Sequence, residues 1–155
     1  MIEINERLEV PAPPRVVWDV LSDPRAVVDC VPGAKLGAQL EDGSYDATAT
    51  VKFGPANVTF RAKIALDLDG TAMIGHVSSR GRDDQGGARV KTAMTFKVVA
   101  GQAPGSSAVP IDAQVEISGR LASLVESGAA LVVKRMTAEF TERLSARCAK
   151  ASGQG

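Results

Sequence analysis

The feature that most constrains this chain is a change of period. From Tyr45 to Ile117 apolar and polar residues alternate in successive runs, and from Leu121 to Leu144 apolar residues recur at steps of three and four. A period of two sends neighbouring side chains to opposite faces of a strand, whereas a period near 3.6 gathers them on one stripe of a helix. The first run sets Tyr45, Ala47, Ala49, Val51 and Phe53 against Asp46, Thr48, Thr50 and Lys52. The second sets Val58, Phe60, Ala62, Ile64 and Leu66 against Thr59, Arg61, Lys63 and Asp67, with Gly54-Pro55 as the turn between them. Asp69-Gly70 and Gln85-Gly86-Gly87 mark further reversals, before a strand centred on Val90, Met94, Phe96 and Val98. A last run through Val109, Ile111, Ala113, Val115 and Ile117 stops at Gly119. Half-buried strands joined by tight turns form an antiparallel meander.

The ends of the chain supply what the sheet packs against. Ile2, Ile4, Leu8 and Val10 read as a first strand, stopped by Pro11, Pro13 and Pro14. Val16, Val17, Trp18, Val20 and Leu21 form a short helix ended by Ser22-Asp23-Pro24, and Ala26 to Cys30 a second one, broken at Pro32-Gly33. Leu36, Ala38 and Leu40 give a weak strand. The C-terminal stripe runs through Leu121, Leu124, Val125, Gly128, Leu131, Val132, Met136, Phe140 and Leu144, and must be buried. This order predicts an α+β fold in which a curved antiparallel sheet wraps a long C-terminal helix, with two short helices after the first strand. The 155 residues suffice for one domain, 1–150, with a flexible polar tail at 151–155.

Ala47, Ala49, Ala62, Gly75, Gly81, Ala88, Ala113 and Gly128 give the inward set an unusual share of small side chains. Interiors normally pack to crystal-like density, so this many small residues facing one long helix predict a void, and an apolar void favours an apolar occupant. The periodicities aim Phe53, Phe60, Met73, Met94, Phe96, Leu124, Leu131, Val132 and Met136 into that space. Thr92, and Tyr45 near the rim, place hydroxyls there that could orient a carbonyl or hydroxyl of the ligand. Val31-Pro32-Gly33 is a candidate edge for ligand entry, with an ordinary turn as the alternative, and Trp18 is read as core packing.

Other functions find little support in the residues. Acids and bases balance at 18 each, no run of lysines and arginines forms a stripe, and aromatics are 4% of residues, which argues against a nucleic-acid surface. One histidine, His76, falls on the face away from the helix, and the distant Cys30 and Cys148 read as free thiols, so neither a catalytic residue nor a metal site is expected. No cofactor is expected either, since Gly81, Gly86, Gly87 and the Gly101 to Gly105 loop precede no helix. Asp83-Asp84 reads as a solvated hairpin tip, and no acid or base is evident on the inward faces. The N-terminus has no signal-peptide pattern and no stretch reaches the roughly 18 apolar residues of a membrane span, so a cytoplasmic protein is expected.

The opening Val10-Pro11-Ala12-Pro13-Pro14-Arg15-Val16-Val17-Trp18-Asp19-Val20-Leu21-Ser22-Asp23-Pro24 resembles that of the START-like, Bet v 1-like superfamily, also called SRPBCC or polyketide cyclase and dehydrase-like. Cys30-Val31-Pro32-Gly33-Ala34, Val51-Lys52-Phe53-Gly54-Pro55 and Gly119-Arg120-Leu121-Ala122 are similar to one branch, the G-subunit family of carbon monoxide dehydrogenase. The resemblance implies a helix-grip fold, a hydrophobic pocket that takes a quinone or lipid, and association with a molybdenum hydroxylase such as aerobic carbon monoxide dehydrogenase. Some relatives carry a longer C-terminal extension that attaches them to a membrane, and this sequence stops at Gly155. The expectation is therefore a cytoplasmic accessory protein, in peripheral contact with the inner membrane face at most, that shelters a lipophilic ligand and does no chemistry on it. The alternative is an enzyme of the polyketide cyclase or dehydratase type using the same cavity.

Overall fold

The alternating runs become the strands of one sheet, as the computed structural model of the chain shows for residues 1–53 and 55–151. In chain order the elements are β1 (Ile2–Val10), α1 (Pro14–Leu21), α2 (Pro24–Cys30), β2 (Ala34–Gln39), β3 (Tyr45–Phe53), β4 (Ala56–Asp69), β5 (Ile74–Asp83), β6 (Arg89–Lys97), β7 (Val99–Ala100), β8 (Ser107–Ser118) and α3 (Ala122–Ala151). The sheet is antiparallel throughout, in the order β1-β8-β6-β5-β4-β3-β2, with the short β7 beside β8. Gly54, half of the expected β3–β4 turn, and the tail beyond residue 151 lie outside the described residues.

Local chemistry sets the boundaries. Pro14 opens α1 where a missing N–H costs nothing, and Asp23 caps α2 by accepting from the Arg25 N–H at 3.1 Å. Asp69 accepts from the N–H groups of Thr71 and Ala72, both at 3.1 Å, and closes the β4–β5 turn. Met73, expected on a strand, ends that turn with φ +54°, although its side chain still packs against the core. Asp83 is not a solvated tip: it is 5% exposed and accepts from the Ala88 N–H at 2.6 Å and the Gln85 N–H at 3.3 Å, holding the β5–β6 turn together. Gly33 adopts φ +77°, its carbonyl accepts from the Thr50 N–H at 3.0 Å, and a Cβ there would lie 2.4 Å from the Thr50 carbonyl oxygen. The Val31-Pro32-Gly33 segment is thus a turn fixed against β3 that only glycine can make.

Two separate apolar clusters fasten α3 to the sheet. The larger joins Leu8, Val10, Trp18, Phe96 and Val109 to Leu144 and Cys148 of the last turns of α3, with Trp18 and Phe96 ring centroids 5.8 Å apart. The smaller joins Phe53 and Val58 to Val125 and Val132 near its start. The buried stripe of α3 is Val125, Ala129, Val132, Leu144 and Cys148. This corrects the expected stripe at two positions, since Leu124 is 36% exposed and Leu131 is 68% exposed. The cause is the approach of Gly128 to Phe53, where an added Cβ would be 3.2 Å from the ring. That contact rotates the helix so that 125, 129 and 132 face the sheet, and residues 124 and 131, seven apart, fall together on its flank.

Candidate functional site

Between the two clusters α3 spans the sheet without filling the space beneath it. Its backbone comes closest to β1, β3 and β8, on the two sides of the sheet, and the inward side chains of the intervening strands remain half-buried. These strands are interior to the sheet, so that access comes from the helix side and not round an edge. Register arranges the inward residues in transverse rows. One row is Ala47, Ala62, Gly81, Val90 and Ile117, and its first three members leave a low floor. A Cβ at Gly81 would lie 2.6 Å from the Arg61 carbonyl oxygen, so this part of the floor admits no larger residue.

The next row carries the polar groups: Tyr45, Ile64, Ser79, Thr92, Val115 and Ile2 stand side by side across β3, β4, β5, β6, β8 and β1. Ser79 and Thr92 are direct cross-strand partners about 5 Å apart, and Tyr45 lies roughly 10 Å away across β4. Among the described residues, none of these three hydroxyls has a hydrogen-bond partner within the protein. Each can both donate and accept, and no charged side chain shares their row. The arrangement suits a neutral, mostly apolar molecule bearing an oxygen.

The residues expected to line this space divide into groups. Thr92 and Tyr45 sit on the hydroxyl row, and Met94 lies one row along with Leu66, Val77 and Ala113. Phe53, Phe60, Val132 and Met136 close one end as the smaller cluster, while Phe96 and Met73 belong to the other. Leu131 faces away from the space and Leu124 only edges it. Ser79 escaped the sequence reading, although the alternation Gly75, Val77, Ser79, Gly81 would have placed it.

A carboxylate does reach the inward register, contrary to expectation. Glu6, between Ile4 and Leu8, pairs with Ile111 on the inward face of β1 and is half-buried. It lies on the row of Phe96 and Gly75, two rows and two strands from Thr92. That separation is roughly 16 Å at standard sheet spacings. His76 stands on the outer face as expected, exposed, with Nδ1 2.9 Å from the Thr95 hydroxyl. It borders a shallow depression of about 630 Å³ with Ser78, Ala93, Thr95, Asp112 and Gln114, on the side of the sheet away from α3. Cys30 and Cys148 are free and meet in the larger cluster. Burial raises both thiols, Cys148 to about 11 with the Cys30 thiol adding to the effect. Among the described residues no group of His, Cys, Asp and Glu could hold a metal ion, and no helix is long and apolar enough to cross a membrane.

This architecture is shared with solved structures of low sequence identity. A conserved protein from Geobacillus kaustophilus superposes with TM-score 0.83 at 18% identity, covering 97% of each chain. The Zhui aromatase/cyclase from Streptomyces gives 0.66 at 13% identity, over 97% of this chain and 95% of that one. A START superfamily protein from Mycobacterium smegmatis gives 0.59 at 18% identity, over 96% and 97%. The fold is therefore the START-like, Bet v 1-like helix grip. No curated protein matches the sequence. The sequence model of CoxG, the G-type subunit of carbon monoxide dehydrogenase, matches residues 7–149, which spans both clusters and the hydroxyl row, and the chain belongs to that family.

Proposed function

We propose that this protein is a cytoplasmic accessory factor that holds a lipophilic molecule, a quinone or lipid, between the sheet and α3 and serves a molybdenum hydroxylase of the carbon monoxide dehydrogenase type. The observation that carries the reading is the row of Tyr45, Ser79 and Thr92, three hydroxyls without protein partners above a floor of Ala47, Ala62 and Gly81. Polar groups facing an interior are normally paired, so a hydroxyl row left open between two apolar clusters is best explained by a ligand that supplies the missing partners. A quinone fits this chemistry through its ring carbonyls, and family membership supports the dehydrogenase partner. The test is organic extraction and native mass spectrometry of the protein purified from its own host. A stoichiometric apolar occupant with a carbonyl or hydroxyl oxygen is expected, and an empty protein that also takes up no isoprenoid quinone in vitro refutes the reading.

The second reading is an enzyme of the cyclase type, favoured by the inward carboxylate of Glu6 and by a solved aromatase/cyclase of the same fold. A general base must come within hydrogen-bonding reach of its substrate, and Glu6 lies far from the hydroxyls that would orient one. Turnover of a polyketide-like substrate that is abolished by Glu6→Gln would establish this reading in place of the first.

A further inference from the structure

The outer face of the sheet carries a basic patch that no run of the sequence reveals. One transverse row places Lys35, Thr48, Arg61, Arg82 and Arg89 side by side on β2 to β6, and the adjacent row places Lys63, Arg80 and Lys91 between Asp46 and Glu116. All of these lysines and arginines are exposed. Neighbours in a row stand about 4.8 Å apart and the rows roughly 7 Å apart, so the charges form a compact lattice. Arg82 is directly opposite both Arg61 and Arg89, and Arg80 directly opposite both Lys63 and Lys91. Like charges in such pairs destabilise a sheet. Only two members of the patch are neutralised, Arg61 by Asp84 at 2.8 Å and Lys63 by Asp42 at 2.9 Å. Among the described residues Lys35, Arg80, Arg82, Arg89 and Lys91 have no ion pair or side-chain hydrogen bond. A depression of about 460 Å³ opens beside Lys35, Gly37, Thr48, Arg61 and Lys63.

We propose that this face is a docking surface for a partner protein with an acidic patch. Unpaired like charges held in register on a rigid sheet oppose folding and are offset when a complementary surface covers them. The same face chooses between polyanions and proteins. Two rows further along it carries Asp67 and Asp112, with Glu3 beside them, which repel a uniformly negative lipid or nucleic-acid surface but match a protein of mixed charge. No aromatic side chain stands on these outer rows to stack a base, and the exposed large apolar residues are Met1, Leu124 and Leu131, none on this patch. The choice of probe rests on the accessory-factor reading, and the partner tested is the carbon monoxide dehydrogenase holoenzyme of the same organism.

Its binding to the immobilised protein is measured at about 50 mM and about 300 mM salt, with Arg80→Glu/Arg82→Glu and Arg80→Thr/Arg82→Thr variants alongside. The expected result is salt-sensitive binding, lost by about tenfold or more in the Glu variant and by less in the Thr variant, with Leu131→Ser unaffected. Both patch variants should melt at or above the wild-type temperature, which separates lost docking from lost folding. Equal binding by wild type and variants overturns the proposal. So does patch-dependent binding of phosphatidylglycerol vesicles or single-stranded DNA without binding of the dehydrogenase, which would assign the face to a polyanion. Absence of any dehydrogenase binding overturns it as well, and ligand extraction from the same preparation, which needs no partner, then decides separately whether the carrier reading stands.

Discussion

Replacing Thr92 by Val separates folding from ligand binding within one residue. The Thr92 hydroxyl has no partner among the described residues, so its removal breaks no bond in the protein, and Val is nearly isosteric and suits a strand. The methyl that replaces the hydroxyl is half-buried, which at about 0.8 kcal/mol per fully buried carbon gives a gain of about 0.4 kcal/mol. For a domain of this size 1 kcal/mol moves the melting temperature by about 2 to 4 °C, so the variant should melt about 1 °C above wild type. A bound oxygen loses one hydrogen bond, worth about 0.5 to 1.5 kcal/mol, and affinity should fall about 2- to 12-fold. The two quantities are read by thermal denaturation of the ligand-free protein and by fluorescence-quenching titration with an isoprenoid quinone. Ser79→Ala should repeat the pattern, and the double variant should lose at most the sum if both hydroxyls meet one oxygen. A melting temperature lowered by more than about 4 °C would show that the hydroxyl is bonded within the fold, and an unchanged affinity would place the ligand elsewhere.

Leu131→Trp should leave both melting temperature and quinone affinity at wild-type values, because residue 131 is 68% exposed; a blocked pocket would mean that the helix turns this face inward on binding. Gly75→Ala should cost about 2 kcal/mol and lower the melting temperature by about 4 to 8 °C, since its Cβ would fall 2.3 Å from the Phe96 ring and push it against Trp18. A melt within 1 °C of wild type would show that Phe96 has room to turn. The buried thiols give a pH dependence. The folded pKa of Cys148 is raised to about 11, so its neutral form contributes stability in full below the unfolded value near 8.5 and loses it progressively as pH rises to about 11. Cys148→Ala should flatten the fall in denaturant midpoint across that alkaline window, and an unchanged slope would refute the assignment.

The secondary structure was legible because it depends on near neighbours. Alternation placed β3, β4 and β8, proline and glycine placed the breaks, and a change of period announced α3, all of which are local consequences of backbone geometry. The rotation of α3 was not legible, because Leu124 and Leu131 are as apolar as Val125 and Val132. Which stripe faces the sheet is decided by the contact of Gly128 with Phe53, a distant partner. Asp83 was misplaced for the same reason: two adjacent acids look solvated until the turn folds back and delivers the Ala88 N–H to one of them.

What the sequence determined by itself is the inventory of faces: which residues of each strand point to the same side, that many of the inward ones are small, and which family the motifs resemble. Register belongs to the tertiary structure alone. It set Ser79 beside Thr92 to make a polar row, moved Glu6 away from that row, and stacked Arg61, Arg82 and Arg89 into a patch that a balanced charge of 18 acids and 18 bases conceals. The physical reason is that a strand's own period fixes only the face of each side chain, while its neighbour across the sheet depends on where the turn lets the next strand begin.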